Sequence, residues 1–82
     1  MSDTRQKRLS VYYFQIYTKG GPEMITGWEI EIGTIRHCKS REAGIAKLKR
    51  RFGNKFDCII SLFEVYLPFQ APEGSLHLDG SI

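Results

Sequence analysis

The sequence predicts an α+β fold: a small two-layer β-β-α-β domain, an antiparallel sheet with one helix packed on one face. Three observations carry this expectation. The stretch GWEIEIGTI alternates apolar and acidic residues with the period of two that a half-buried strand requires. REAGIAKLKRRF places its apolar residues at helical spacing. Two further runs, LSVYYFQIYT before these and FDCIISLFEVYL after them, are rich in β-branched and aromatic residues.

The elements follow one another in a simple order. Residues 1–8 are polar and read as a flexible basic arm. Residues 9–67 read as the single domain, and 68–82 as a loosely ordered C-terminal tail. In the first strand one face holds Leu9, Val11, Tyr13, Gln15 and Tyr17, and the other holds Tyr12, Phe14 and Ile16. KGGPE at 19–23 is a turn, since Gly supplies positive φ and Pro removes a ladder donor. In the second strand Trp28, Ile30 and Ile32 alternate with Glu29 and Glu31, which predicts one buried and one wet face.

Ser40 is placed to cap a helix running from Arg41 to Phe52, with Glu42 in the first turn where the dipole favours an acid. Ile45, Leu48 and Phe52 form its apolar stripe, and Gly53 stops it. The third strand spans 56–67 and ends at Pro68. In the tail, Leu76 and Leu78 alternate with His77 and Asp79, so a short extra strand at 75–79 is open to it.

This arrangement predicts a core of Tyr12, Phe14, Ile16, Trp28, Ile30, Ile32, Ile45, Leu48, Phe52, Ile59, Phe63, Val65 and Leu67. The opposite sheet face is then left without a second helix. It is expected to carry Tyr13, Tyr17, Glu29, Glu31, Ile60, Leu62, Glu64 and Tyr66. Of these, Tyr13, Tyr17, Glu29, Glu31, Ile60, Leu62 and Tyr66 form the expected protein interface. Eighty-two residues bury little core, which leaves room for a homodimer.

Chemistry-bearing constellations are scarce. No G-x-x-x-x-G-K, G-x-G-x-x-G or G-x-S-x-G occurs. His37, Cys38, Cys58 and His77 lack the paired spacing of a zinc site. Glu29 and Glu31 read as the wet side of a strand rather than a catalytic pair. Cys58 lies in an apolar run, and Cys38, beside cations that could lower a thiol pKa, reads as a spare thiol near a strand end. The expectation is a non-enzymatic protein with no cofactor and no metal. No apolar run approaches the ~20 residues of a membrane span, and the N-terminus lacks a signal-peptide core. A cytoplasmic location with no membrane partner is expected.

Charge is the most informative feature. The net charge is +3, yet residues 35–55 carry eight basic groups against Glu42 alone. That segment holds two-thirds of the cations. Lys47, Lys49, Arg50 and Arg51 lie on the polar side of the helix, and Arg36, Lys39 and Lys55 lie near its ends. Solvated helices commonly mix Glu with Lys four residues apart, and the last three turns here have no acid. The single sign predicts binding to nucleic acid, DNA or RNA backbone, through this basic helix face. The alternative is a small protein-binding regulator or inhibitor that docks on an acidic or nucleic-acid-binding surface of a partner protein. Base stacking on Tyr12, Tyr13 and Phe14 is disfavoured, because Glu29, Glu31 and Glu64 are expected on the open face.

Overall fold

The computed structural model describes residues 10–20, 27–66 and 68–81. Strand β1 (Ser10–Lys19) leads into β2 (Trp28–Cys38), helix α1 (Arg41–Phe52), a 3₁₀ turn (Gly53–Lys55), β3 (Phe56–Val65) and β4 (Leu76–Asp79). The expected N-terminal arm, Leu67 and most of the KGGPE turn lie outside the described residues. Gly20 donates its backbone N–H to the Gly27 carbonyl, which closes the hairpin between β1 and β2.

The four strands form one sheet in the order β3-β1-β2-β4. β1 pairs antiparallel with both β2 and β3. The expected wholly antiparallel sheet is corrected by β4, which runs parallel to β2 and pairs Gly33 with Leu76 and Ile35 with Leu78. A parallel pair needs a crossover, and the chain between β3 and β4 supplies it by passing from one sheet edge to the other. Phe69 in that crossover packs against Tyr13, with ring centroids 5.6 Å apart. The crossover therefore covers the Tyr13 end of the face that the helix leaves bare.

Helix α1 forms where its signals place it. Ser40 accepts a hydrogen bond from Ala43 N at 3.1 Å, which satisfies one of the orphan donors of the first turn. Gly53 takes φ 57° and returns its N–H to the Lys49 carbonyl, a conformation that favours glycine. Leu48 is fully buried among Phe14, Ile16, Ile35, Cys38 and Leu62, with Ile45 and Phe52 packed around them.

Two strands present the reverse of the expected faces. Phe14 pairs with Gly33 and Ile16 with Glu31. Residues directly opposite in an antiparallel pair share a face. Ile35, Gly33, Glu31 and Glu29 therefore lie on the helix side, and Ile32, Ile30 and Trp28 lie on the open side. Trp28 and Ile30 are 64% and 58% exposed, so neither belongs to the core. Reach explains this. The 12-residue helix spans about 18 Å, whereas the 11 residues of β2 run about 37 Å. The helix covers the Ile35 end of the strand only. Its far end is wet on the helix side, and the glutamates occupy that wet side.

In β3 the cause is a pair of bulges. Gln15 pairs with Ser61 but Ile16 with Ile59, so Ile60 is an extra residue; Tyr17 pairs with Cys58 but Thr18 with Phe56, so Asp57 is another. Each insertion shifts the alternation by one. Leu62 consequently faces Phe14 in the core, and Phe63 and Val65 turn to the open face beside Tyr13 and Val11. Phe63 is 50% exposed. A third irregularity lies between the Ser10 and Tyr12 pairings with β2, where His37 adopts φ 57°. It brings Cys38 back to the helix side, where the residue is buried.

Candidate interaction surfaces

The open face of the sheet is built from alternate residues of three strands. Tyr13, Gln15 and Tyr17 come from β1, Trp28, Ile30 and Ile32 from β2, and Cys58, Ser61, Phe63 and Val65 from β3. Tyr13 and Phe63 pack with ring centroids 5.5 Å apart. At the opposite end Trp28 reaches over β1, and its indole Nε1 donates to Asp57 Oδ2 at 2.5 Å. Tyr17, Trp28 and Asp57 line a recess of about 350 Å³ there. The hydrogen bond satisfies the polar edge of the indole and leaves its apolar body against solvent, the arrangement that makes Trp effective at interfaces. Asp57 and Lys19, the latter paired with Trp28, put charge at this end; from the Tyr17–Ile30 pair to Phe63 the described residues of the face carry no charged side chain.

Of the expected interface residues, Tyr13 and Tyr17 lie on this face. Ile60 is the extra residue of its bulge and is 42% exposed. The other four are corrected. Leu62 is a core residue at 5% exposure. Glu29 and Glu31 sit on the helix side, and Tyr66 joins that side by donating its phenol to Glu64 Oε1 at 3.5 Å. Glu64 itself pairs with Tyr12. Burial, and then the Glu64 charge, raise the Tyr12 pKa above its ordinary value. The open face was thus missed in its main members, Trp28, Ile30 and Phe63. Their alternation was visible in the sequence, but the bulges and the hairpin register that set its phase were not.

The basic surface surrounds the helix on the other side of the molecule. Arg36, Lys39, Lys49, Arg50, Arg51 and Lys55 are exposed and Lys47 is half-buried. Arg51 and Lys55 differ from the rest. They line a cleft of about 510 Å³ beyond the helix C-terminus, together with Glu29, Glu31, Phe52 and Leu76. The glutamates expected to face away from the cations therefore share a cleft with two of them. The guanidinium of Arg51 lies over the Phe52 ring, 5.4 Å from its centroid, a favourable cation–π position. Among the described residues, the ion pair within 4.0 Å is His37–Asp79, so no described carboxylate lies at contact distance from a Lys or Arg of the helix.

The remaining titratable groups serve structure. Asp79 accepts from both the hydroxyl and the backbone N–H of Ser81, and His37 Nδ1 lies 3.2 Å away. The Ser81 bonds, followed by His37, lower its carboxyl to about 2. Thr34 Oγ1 and His77 Nδ1 are 3.0 Å apart across the β2–β4 pair. Cys38 donates its thiol to the Ser40 carbonyl at 3.2 Å, and burial pushes its pKa up. The adjacent cations therefore do not activate Cys38, and Cys58, although it lies in an apolar run, is the exposed cysteine. No group of three His, Cys, Asp or Glu side chains able to hold a metal comes together among the described residues. No helix among them is long and apolar enough to cross a membrane.

Comparison with protein-family models, curated proteins and solved structures finds no match.

Proposed function

We propose that this chain is a non-enzymatic binding module whose working surface is the open sheet face, and that it takes a protein partner there. The observation that carries this reading is the placement of Trp28 and Ile30, 64% and 58% exposed, on a face whose described residues carry no charge from the Tyr17–Ile30 pair to Phe63. Burial of apolar area is the main driving force of association, and aromatic anchors on a surface poor in charge are its usual mark. Capture experiments with the wild type and Ile30→Glu, each with and without nuclease, test it. The wild type should hold a partner in both conditions and the variant should release it. Equal capture by both proteins would overturn the reading.

A second reading rests on the basic surface. Lys39, Lys49 and Arg50 are exposed and have no carboxylate of the described residues at ion-pair distance. Such a row can contact a nucleic-acid backbone or another acidic surface, with affinity falling steeply in salt. The exchange of two of its cations for a cleft shared with Glu29 and Glu31 narrows that row. Gel retardation of DNA and RNA at low salt tests it. Lys47→Glu with Arg50→Glu should abolish retardation, and retardation unaffected by that pair would remove the helix face from consideration.

A further inference from the structure

The open face raises the question of what covers it. We infer that its occupant is a second copy of this chain, packed sheet to sheet to form a four-layer dimer with the helices outside. The inference rests on the sheet-face reading above and commits it to one partner.

Area supplies the first argument. Trp28, Ile30, Phe63 and Tyr17 are 64%, 58%, 50% and 38% exposed. At about 200 Å² for a large side chain, these four alone offer roughly 400 Å² per copy. The half-buried Ile32 and the exposed Cys58, paired with Tyr17, extend the same surface, and Phe69 of the crossover bounds it at Tyr13. Two such faces bury about 800 Å² from these four side chains alone, and their neighbours bring the contact towards the roughly 1,200 Å² at which stable interfaces begin. An apolar patch of this size is comparable to the largest that monomers carry, about 300–600 Å², and such patches are often functional.

Self-complementarity supplies the second. In a two-fold dimer the same patch meets itself, so any charge near the axis meets its own like. Among the described residues this patch has none from the Tyr17–Ile30 pair to Phe63, where Gln15 and Ser61 are neutral; Asp57, bonded to the Trp28 indole, and Lys19, paired with Trp28, lie at its end. β-branched and aromatic side chains from two such faces interdigitate at the roughly 10 Å spacing of packed sheets.

The sheet edges supply the third. β3 carries bulges at Asp57 and Ile60, and β4 has four residues. Bulged and short edges resist strand addition. The contact therefore forms through the face and not by extending the sheet. Helix α1 lies on the far side of each sheet, so the dimer presents Lys49 and Arg50 on opposite outer surfaces.

Sedimentation equilibrium on the full chain from 1 to 100 µM, paired with thermal melts over the same range, tests this. The expected result is twice the chain mass with a melting temperature that rises with concentration. Ile30→Glu should shift dissociation to at least tenfold higher concentration. Phe63→Ser should do the same, which keeps the test decisive where one variant fails to fold. A monomer at 100 µM with a concentration-independent melt overturns the dimer. If Ile30→Glu still abolishes capture of a different protein by that monomer, the sheet-face reading survives the loss of the dimer; if capture is unchanged, both fall. A dimer indifferent to both substitutions uses another surface and also overturns the inference.

Discussion

Replacing Leu62 and Phe63 by alanine, one at a time, separates the two faces of β3. The residues are neighbours of similar hydrophobicity, and the sequence places Phe63 inside and Leu62 outside. In the structure Leu62 is 5% exposed against Phe14 and Phe63 is 50% exposed on the open face. Truncating Leu62 removes about three buried methylene equivalents, or roughly 2.4 kcal/mol of transfer free energy. The cavity left beside Phe14 brings the cost to about 3 kcal/mol. That is a large share of the total for a domain of this size, of order 4–12 kcal/mol. Phe63→Ala gives up half a ring's burial and its contact with Tyr13, about 1–2 kcal/mol in the isolated chain. Urea unfolding followed by circular dichroism measures both. At low protein concentration Leu62→Ala should have the lower midpoint. As concentration rises, the Phe63→Ala penalty should grow while the Leu62→Ala penalty stays constant, because only Phe63 lies on the associating face. A larger loss from Phe63→Ala at the lowest concentration would refute the bulge-shifted register and the surface built on it.

Three other expectations follow from particular contacts. A Cβ at Gly33 would collide with the backbone of Leu76. Gly33→Ala should therefore displace β4 and cost about 1–3 kcal/mol, with amide exchange accelerating at residues 76–79 before the rest of the sheet. The carboxyl of Asp79 is held at about 2, below its ordinary 3.8, by Ser81 and His37. Its stabilising contribution is present above about pH 4 and disappears as pH falls towards 2. Protection of β4 should decline over that window, and Asp79→Asn should flatten the decline. Cys58 is exposed on the open face, paired with Tyr17, and Cys38 is buried with a raised pKa, so at concentrations where the chain is monomeric a thiol reagent should modify Cys58 rapidly and Cys38 only on unfolding, with Cys58 slowing as the dimer forms.

Much of the fold is legible in the sequence because its signals are local. Ser40, Gly53 and the Ile45–Leu48–Phe52 stripe mark helix α1 to the residue, since capping and periodicity act within a few positions. The strands are found for the same reason. The phase of the faces is a longer-range property. It depends on the hairpin register that sets Phe14 opposite Gly33 and on the insertions at Asp57 and Ile60, and both faces of β1 are apolar enough to serve as the core. Alternation in WEIEI shows that one side is wet without saying which side the helix takes. The helix is too short to cover all of β2, so Glu29 and Glu31 can lie on its side of the sheet while Trp28 and Ile30 lie on the other. The candidate surfaces follow the same division. The basic helix could be read directly from charge, whereas the apolar face came into view only once the register was known.

Trp28 is the chain's single tryptophan and sits on the open face. Its emission therefore reports on that face without any label. Recorded from 100 µM down to the lowest detectable concentration, the emission should begin blue-shifted, as for an indole out of water. It should then move to the red with the same midpoint at which the mass halves. A red emission maximum that stays fixed across the whole range would show Trp28 in water at every concentration and would contradict the packing of this face against a second copy of the chain.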